Sequence, residues 1–310
     1  MNVRTKSVAS FLRIFVFAMG MLLGSDSSGA TLGWSDGVNL QPSYFNAGEV
    51  NLGWELMAKY PAIKTVRIEI EPSVALVTAK RWLREARERG YTVIATYHFF
   101  PANGSDDVQE LMKAARWWQT NFATLREEGP FVVNLMNEWG SHRQTAQTYS
   151  AAYNEALPLV RSVYDGPIVV DVPGWAQETY VARDASPLLA DRNLVYSVHL
   201  YSGAWVQQGP NRWMKKQDLD VLTECGRPIL IGEFGASRKG GADWSALVDH
   251  ARSKGWTILA WAWNGDGEGM NMVRPYWIDK VDAKAYSEGS YFKKVYRKLR
   301  LPTKEKGPGA

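Results

Sequence analysis

From about residue 37 onward the chain alternates between two hydrophobic periods. Short apolar runs are separated by longer segments with an apolar residue every three or four positions, the patterns of buried strands and one-sided helices. The run Thr65 to Ile70 is the clearest strand. Val66, Ile68 and Ile70 fall on one face and Thr65, Arg67 and Glu69 on the other. Further strands are predicted at Gly37 to Gln41, Thr92 to Tyr97, a run closing at Glu138, Ile168 to Asp171, Leu194 to Leu200, a run closing at Glu233, and Thr257 to Trp263. Helices are predicted between them. One covers Val50 to Tyr60. The next carries Leu76, Ala79, Leu83 and Ala86 and stops at Gly90. A third carries Val108, Leu111, Met112, Ala115, Trp118 and Phe122. Tyr149, Ala152, Tyr153, Ala156, Val160 and Val163 mark a fourth. Trp244, Leu247, Val248 and Ala251 follow an Asp243 cap and end before Gly255, and Ser290 opens the last.

Unbroken strand–helix alternation predicts an α/β protein with a parallel sheet. Eight such units in about 270 residues predict a single-domain (β/α)8 TIM barrel, covering residues 31–302 with a flexible tail at 303–310. In that fold the polar face of Thr65 to Ile70 points into the barrel. Residues 1–30 read differently. Arg4, Lys6 and Arg13 precede an apolar core from Ile14 to Leu23, and Ser28-Gly29-Ala30 supplies small residues for cleavage. This is the pattern of a secretory signal peptide, too short to span a bilayer.

Composition narrows the partners. The formal charge is +4 and falls to +2 once Arg4, Lys6, Arg13 and Asp26 leave with residues 1–30. So small an excess argues against a nucleic-acid surface. Its densest part, Lys293, Lys294, Arg297, Lys298 and Arg300, reads as a solvated helix face. Cys225 is the only cysteine, so no internal disulfide can form, and its place before a buried strand suits a structural residue. His98, His142, His199 and His250 form no HExxH pair, and Gly265-Asp266-Gly267-Glu268-Gly269 lacks the helix a phosphate loop needs. No metal and no cofactor are expected.

The chemistry gathers at the ends of the strands. Arg67, His98, Asn137, Glu138, His199, Tyr201, Glu233, Trp261 and Trp263 all fall toward the same end of successive strands, where barrels of this type carry their active sites. Singly, each has an ordinary explanation as a rim carboxylate, a core histidine or a packed indole. Jointly they supply the parts of glycoside hydrolysis. Two carboxylates flank the bond to be cleaved. Arg67 can pair with one of them and hold its pKa down, and Tyr201 can donate to the same group. Gly232 leaves room for that approach. Asn137 suits a sugar hydroxyl beside the anomeric carbon. The faces of Trp175, Trp261 and Trp263 suit pyranose rings.

At these residues the chain resembles glycoside hydrolase family 5, a clan A family, and within it the bacterial endo-β-1,4-mannanases. The motifs are Asn137-Glu138, Ile231-Gly232-Glu233-Phe234-Gly235, Thr65-Val66-Arg67-Ile68, His98, His199-Leu200-Tyr201 and Trp261. The mannanase likeness rests on Asn134 to Trp139, Val170 to Gln177, Ala260 to Gly265 and Gly104-Ser105-Asp106. It departs from that group at Leu40, where a histidine is common, at Phe99, where a carboxylate is usual, and at Gly140-Ser141-His142. The resemblance implies a retaining enzyme with Glu138 as acid/base and Glu233 as nucleophile. Arg67, Asn137, His199 and Tyr201 would support them, and His98, Trp175, Trp261 and Trp263 would bind substrate. The expected partner is mannan or glucomannan, met outside the cytoplasm as a monomer, with no nucleic acid and no membrane after signal cleavage. An endo-β-1,4-glucanase of the same mechanism is the alternative, and a non-catalytic glycan-binding barrel is a third reading.

Overall fold

Eight of the predicted runs close into one barrel of parallel strands: β1 (Gly37–Leu40), β2 (Thr65–Ile70), β3 (Thr92–Tyr97), β4 (Val132–Asn134), β5 (Ile168–Asp171), β6 (Leu194–Tyr201), β7 (Ile229–Gly235) and β8 (Thr257–Asn264). Neighbours around the ring are consecutive in sequence, and β1 closes on β8. The computed structural model describes residues 33–300 except Arg238 and Glu268. The predicted signal peptide, residues 1–30, and tail, residues 303–310, lie outside the described residues.

Helices follow the strands: α1 (Trp54–Met57), α2 (Leu76–Glu88), α3 (Val108–Arg126), α4 (Ala146–Arg161), α5 (Thr179–Ala185), α6 (Lys216–Asp220), α7 (Trp244–Ser253) and α8 (Phe292–Tyr296). Asp107, Thr145 and Asp243 cap α3, α4 and α7 with side-chain oxygens on otherwise unpaired backbone N–H groups. The predicted helix from Val50 to Tyr60 shrinks to α1. Gly53, at φ 76°, takes a left-handed turn just before it, and Pro61 disfavours helical backbone at Tyr60.

The barrel carries two apolar layers. Val38, Val66, Ile68, Ile70, Ile231 and Phe234 pack outward against the helices. Ile94, Val169, Val195, Leu230 and Leu259 fill the lumen as a separate plug. Toward the C-terminal ends of the strands the lumen turns polar, with Asn39, Arg67, Glu69, Asn134, Asp171 and His199 all fully buried. The alternation of β2 therefore has the sense expected of it.

Two strands depart from regular pairing where they reach the mouth. On one side Val198 pairs with Ile231 and His199 with Glu233. On the other, Ile258 pairs with Ile231 and Ala260 with Phe234. Both neighbours thus report one extra residue in β7 between Ile231 and Phe234, a β-bulge. A larger excess, of two residues, separates Ala260 from Asn264 against β1. The strand predicted to close at Glu138 pairs only as far as Asn134. Leu135 and Asn137 still donate backbone N–H bonds, to Val169 O and Tyr97 O, but the chain then turns, and Glu138 lies at φ 48°.

Candidate active site

The bulge in β7 decides where Glu233 points. Regular alternation would send it outward, because Gly232 already faces the lumen. With the extra residue, both Gly232 and Glu233 turn inward while Ile231 and Phe234 stay in the outer layer. There Arg67 Nη1 donates to Glu233 Oε1 at 2.9 Å, and the Tyr201 hydroxyl donates to Oε2 at 2.6 Å. The room beside Gly232 is used by other groups than those expected. A Cβ built on it would lie 2.2 Å from Ser197 Oγ and 3.2 Å from His199 Nε2. Gly232 therefore admits the side chains of Ser197 and His199 rather than those of Arg67 and Tyr201.

Arg67 is the buried hub of the lumen. Its Nε donates to Asn134 Oδ1 at 3.0 Å and Nη2 to Asn137 Oδ1 at 2.6 Å. Nη1 faces three acceptors at 2.9 Å: Asn39 Oδ1, Glu69 Oε1 and Glu233 Oε1. Burial opposes the charge, but Glu233, Glu69, Asp171 and Glu138 outweigh it and raise the pKa above the usual arginine value. The guanidinium stays cationic.

Glu138 is held from three sides. Asp171 Oδ2 accepts its backbone N–H at 2.8 Å, Asn103 Nδ2 donates to Oε2 at 3.2 Å, and His199 Nδ1 lies 2.8 Å from Oε1. Burial raises the carboxyl pKa, the bond and charge of His199 lower it, and Glu233 and Asp171 push it up again, for a net rise. His199 sits between the two glutamates, with Nδ1 also 3.5 Å from Glu233 Oε2. Burial disfavours its protonation, yet Glu233, Asp171 and Glu138 together push its pKa up to about 9. One oxygen of each glutamate and a ring nitrogen of His199 lie within 4.8 Å of one another. Retaining glycosidases hold their two carboxyl groups about 5–5.5 Å apart, too close for a water to stand between carboxylate and sugar.

The remaining predicted residues divide. Asn137 lies beside Glu138 but spends its carbonyl on Arg67. Its Nδ2 faces Asn103 Oδ1 at the long distance of 3.5 Å, so its amide hydrogens are the part left for a ligand. Trp175 is 38 % exposed. Its indole lies across Gly104, where a Cβ would come within 2.2 Å of the ring, and the His142 ring sits 5.3 Å from it. Gly104 N donates to Glu138 O at 2.7 Å, which ties this indole to the Glu138 side of the mouth. Trp261 is 8 % exposed, and its Nε1 donates to Asp266 Oδ1 at 2.8 Å.

Two of the predicted substrate contacts are buried. Trp263 is fully buried in the outer layer, donating to Leu52 O at 3.0 Å and packing against Tyr60 and Phe292. The extra residues in β8 break the alternation that would have set it beside Trp261. His98 is also buried. Its Nδ1 lies 2.5 Å from the Tyr44 hydroxyl and its Nε2 3.4 Å from Glu69 Oε2. Burial, with Arg67 and His199 nearby, lowers its pKa to about 3.

Sequence reasoning missed Glu69, Asp171 and Asn103. Glu69 was visible as an inward carboxylate two residues from Arg67, and Asp171 as a charge closing an apolar strand. Asn103 comes from a loop with no periodic signal. Cys225 is half-buried, and burial pushes its thiol up to about 12, far from a nucleophile's range.

The model for the family described as Cellulase (glycosyl hydrolase family 5) matches residues 68–267. The chain belongs to glycosyl hydrolase family 5. That span holds Glu69, Asn137, Glu138, Asp171, His199, Tyr201, Glu233 and Trp261, while Arg67 stands one residue before it. A mannan endo-1,4-beta-mannosidase of Streptomyces lividans is 32% identical over 180 residues, covering 55% of this chain and 45% of that protein. Endoglucanase A of Evansella cellulosilytica is 26% identical over 184 residues, covering 59% of this chain and 35% of that one. Each match spans less than half of the relative's own length. The solved catalytic domain of a mannanase from Streptomyces sp. SirexAA-E superposes with a TM-score of 0.67 at 21% identity, covering 95% of this chain and 94% of that one. It shares the barrel fold of this family 5 member.

Proposed function

We propose that this family 5 chain is a secreted, retaining endo-glycoside hydrolase acting on β-1,4-linked mannan or glucomannan. The observation that carries the reading is the unlike treatment of two neighbouring carboxyls. Glu233 receives Arg67 and Tyr201, the donors that suit an ionised nucleophile. Glu138 has a pKa raised by burial, as an acid working near neutral pH requires. Glu138 would give its proton to the leaving glycosidic oxygen as Glu233 attacks the anomeric carbon and the C–O bond breaks. Glu138, now a carboxylate, would take a proton from water, whose oxygen then displaces Glu233 and restores the starting anomer. All of these groups come from one chain, so a monomer suffices.

The mannan preference rests on the Streptomyces lividans relative and on the motif from Asn134 to Trp139. The Evansella relative supports an endo-β-1,4-glucanase as the second reading. Initial rates on pure mannan, glucomannan and carboxymethylcellulose separate the two. Hydrolysis of the first two with little action on the third is expected. Preference for carboxymethylcellulose would favour the glucanase, and no hydrolysis of any would leave a binding barrel. Export follows from residues 1–30. Among the described residues no helix is long and apolar enough to cross a membrane. The N-terminal residue of protein recovered outside the cytoplasm tests the cleavage after about Ala30.

A further inference from the structure

Glu69 is a third glutamate in the lumen, and the proposed mechanism leaves it unused. It is fully buried on β2 and shares Arg67 Nη1 with Glu233, each oxygen at 2.9 Å. One guanidinium nitrogen has two hydrogens, and here it faces three acceptors. Two full carboxylates on that nitrogen would divide the charge that the nucleophile relies on.

The hydrogen-bond chain on the other side of Glu69 shows how this is avoided. The Tyr44 hydroxyl donates its single hydrogen to Glu71 Oε1 at 2.5 Å, and the same hydroxyl lies 2.5 Å from His98 Nδ1. The hydrogen of that second contact must come from His98. A neutral imidazole has one N–H, so placing it on Nδ1 leaves Nε2 bare. The bare nitrogen faces Glu69 Oε2 at 3.4 Å. Lone pair against carboxylate is repulsive, whereas a proton on Glu69 Oε2 turns the contact into an O–H···N bond. Gln41 Nε2 donates to the same oxygen at 2.8 Å.

We propose that Glu69 works as a neutral acid and is a positioning residue, leaving Arg67 to Glu233 and drawing the guanidinium away from it only when ionised. The inference rests on Glu233 being the nucleophile, though the protonation of Glu69 does not. Every wall of the lumen contributes to its state. Gln41 donates to it from just beyond β1, Asn39 on β1 competes with it for Arg67 Nη1, Arg67 faces it from its own strand, and His98 from the end of β3. Glu138 and Glu233 repel it from the β4 and β7 sides. Asp171 and His199 act through Arg67 and Glu138. Burial raises its pKa, Arg67 lowers it and Glu233 raises it again, leaving it at about 8. Glu69 would then ionise on the alkaline side of the working range and weaken the nucleophile there.

The test reads the proton and the kinetics separately. Infrared difference spectra between the full chain and Glu69→Gln, taken across pH, should show a protonated-carboxyl band in the parent that fades near pH 8. A carboxyl already ionised at pH 6 overturns the proposal whether or not the chain proves to be a mannanase. The kinetic arm uses an activated aryl β-mannoside or β-glucoside, whose leaving group needs no proton from Glu138. Parent kcat/KM should fall about fivefold or more between about pH 7 and about pH 9, and Glu69→Gln should lose that fall. Coincident alkaline limbs overturn the positioning role. Tyr44→Phe, at the exposed end of the chain of bonds, is the second variant. It frees His98 to move its hydrogen to Nε2 and donate to an ionised Glu69, so the limb should shift to lower pH. An unmoved limb in a folded Tyr44→Phe enzyme overturns the tautomer argument.

Discussion

Asp171 holds Glu138 by the backbone: its Oδ2 accepts the Glu138 N–H at 2.8 Å, across the gap between the end of β5 and the turn after β4. This bond fixes a residue at φ 48°, a backbone region that a side-chain-bearing residue enters only where the surroundings hold it there. The same oxygen lies 3.8 Å from Arg67 Nη2 and 3.7 Å from His199 Nε2. One strand-end carboxylate thus sets the position of the proposed acid and borders both cations of the site.

Removing that bond should cost catalysis more than fold. Asp171→Ala should lower kcat on polysaccharide by about a hundredfold, the usual effect of displacing a reacting group by an ångström. Asp171→Asn can still accept from Glu138 through its amide oxygen and should lose less. Steady-state kinetics on both variants, with melting curves to confirm folding, check the order. Equal losses would mean that the charge of Asp171 matters and its bond does not.

The alkaline limb on a substrate with a poor leaving group should report Glu138. The acid works only while protonated, so activity falls as pH rises through its pKa. His199 lowers that pKa by its bond and its charge. Replacing it with Phe should therefore raise the pKa and carry the limb to higher pH, though the maximum rate will drop. The pH profile of kcat/KM on mannan decides, and a limb displaced toward acid would show that His199 acts through some other group.

Gly232 should tolerate no side chain, for a reason that can be repaired. Its added Cβ would stand 2.2 Å from Ser197 Oγ, and overpacking of this kind costs about 1–3 kcal/mol. Gly232→Ala should unfold at lower denaturant, and Ser197→Ala in the same chain should restore part of the loss by removing the oxygen. Chemical denaturation of both single variants and the pair gives the coupling. Additive losses would place the clash elsewhere, with the ring of His199 at 3.2 Å the next candidate.

How far the sequence carried this picture varied with the element. The bounds of β2, β3 and β5 were legible because each is a short apolar or alternating run closed by a change of character. The pairing limit of β4 was not, since Leu135 and Met136 extend the apolar run after the ladder has ended and pack in the core regardless. The paired strands Trp205–Val206 and Arg212–Trp213 are too short to show a period at all. Within the site, the partners of Glu233 followed from its neighbours on other strands. The inward turn of Glu233 itself depended on a bulge whose only written sign is a glycine inside an apolar strand. Trp261 and Trp263 share a face in any regular strand, and only the irregular pairing of β8 lets Trp263 join the outer layer while Trp261 stays out of it.

The roles of the two glutamates make the last prediction, because loss of either should nearly abolish turnover and so cannot assign them. Their surroundings differ in kind. Glu233 takes Arg67 and Tyr201 on its two oxygens, while Glu138 takes the amide of Asn103 and the ring of His199 and has its pKa raised by burial. A small anion can replace whichever carboxylate is missing, and the face from which it attacks identifies the role. With an activated aryl glycoside, Glu138→Ala should still form the glycosyl-enzyme on Glu233. Azide then enters from the side that Glu138 vacated, speeds turnover and gives the β-glycosyl azide. Glu233→Ala has no nucleophile, so azide takes its place on the opposite face and gives the α-glycosyl azide, with Glu138 still able to assist departure. Proton NMR of the anomeric signal distinguishes the products. Exchange of the two azides between the variants would reverse the roles, and the arrangement around Arg67 would then mark the acid/base residue rather than the nucleophile.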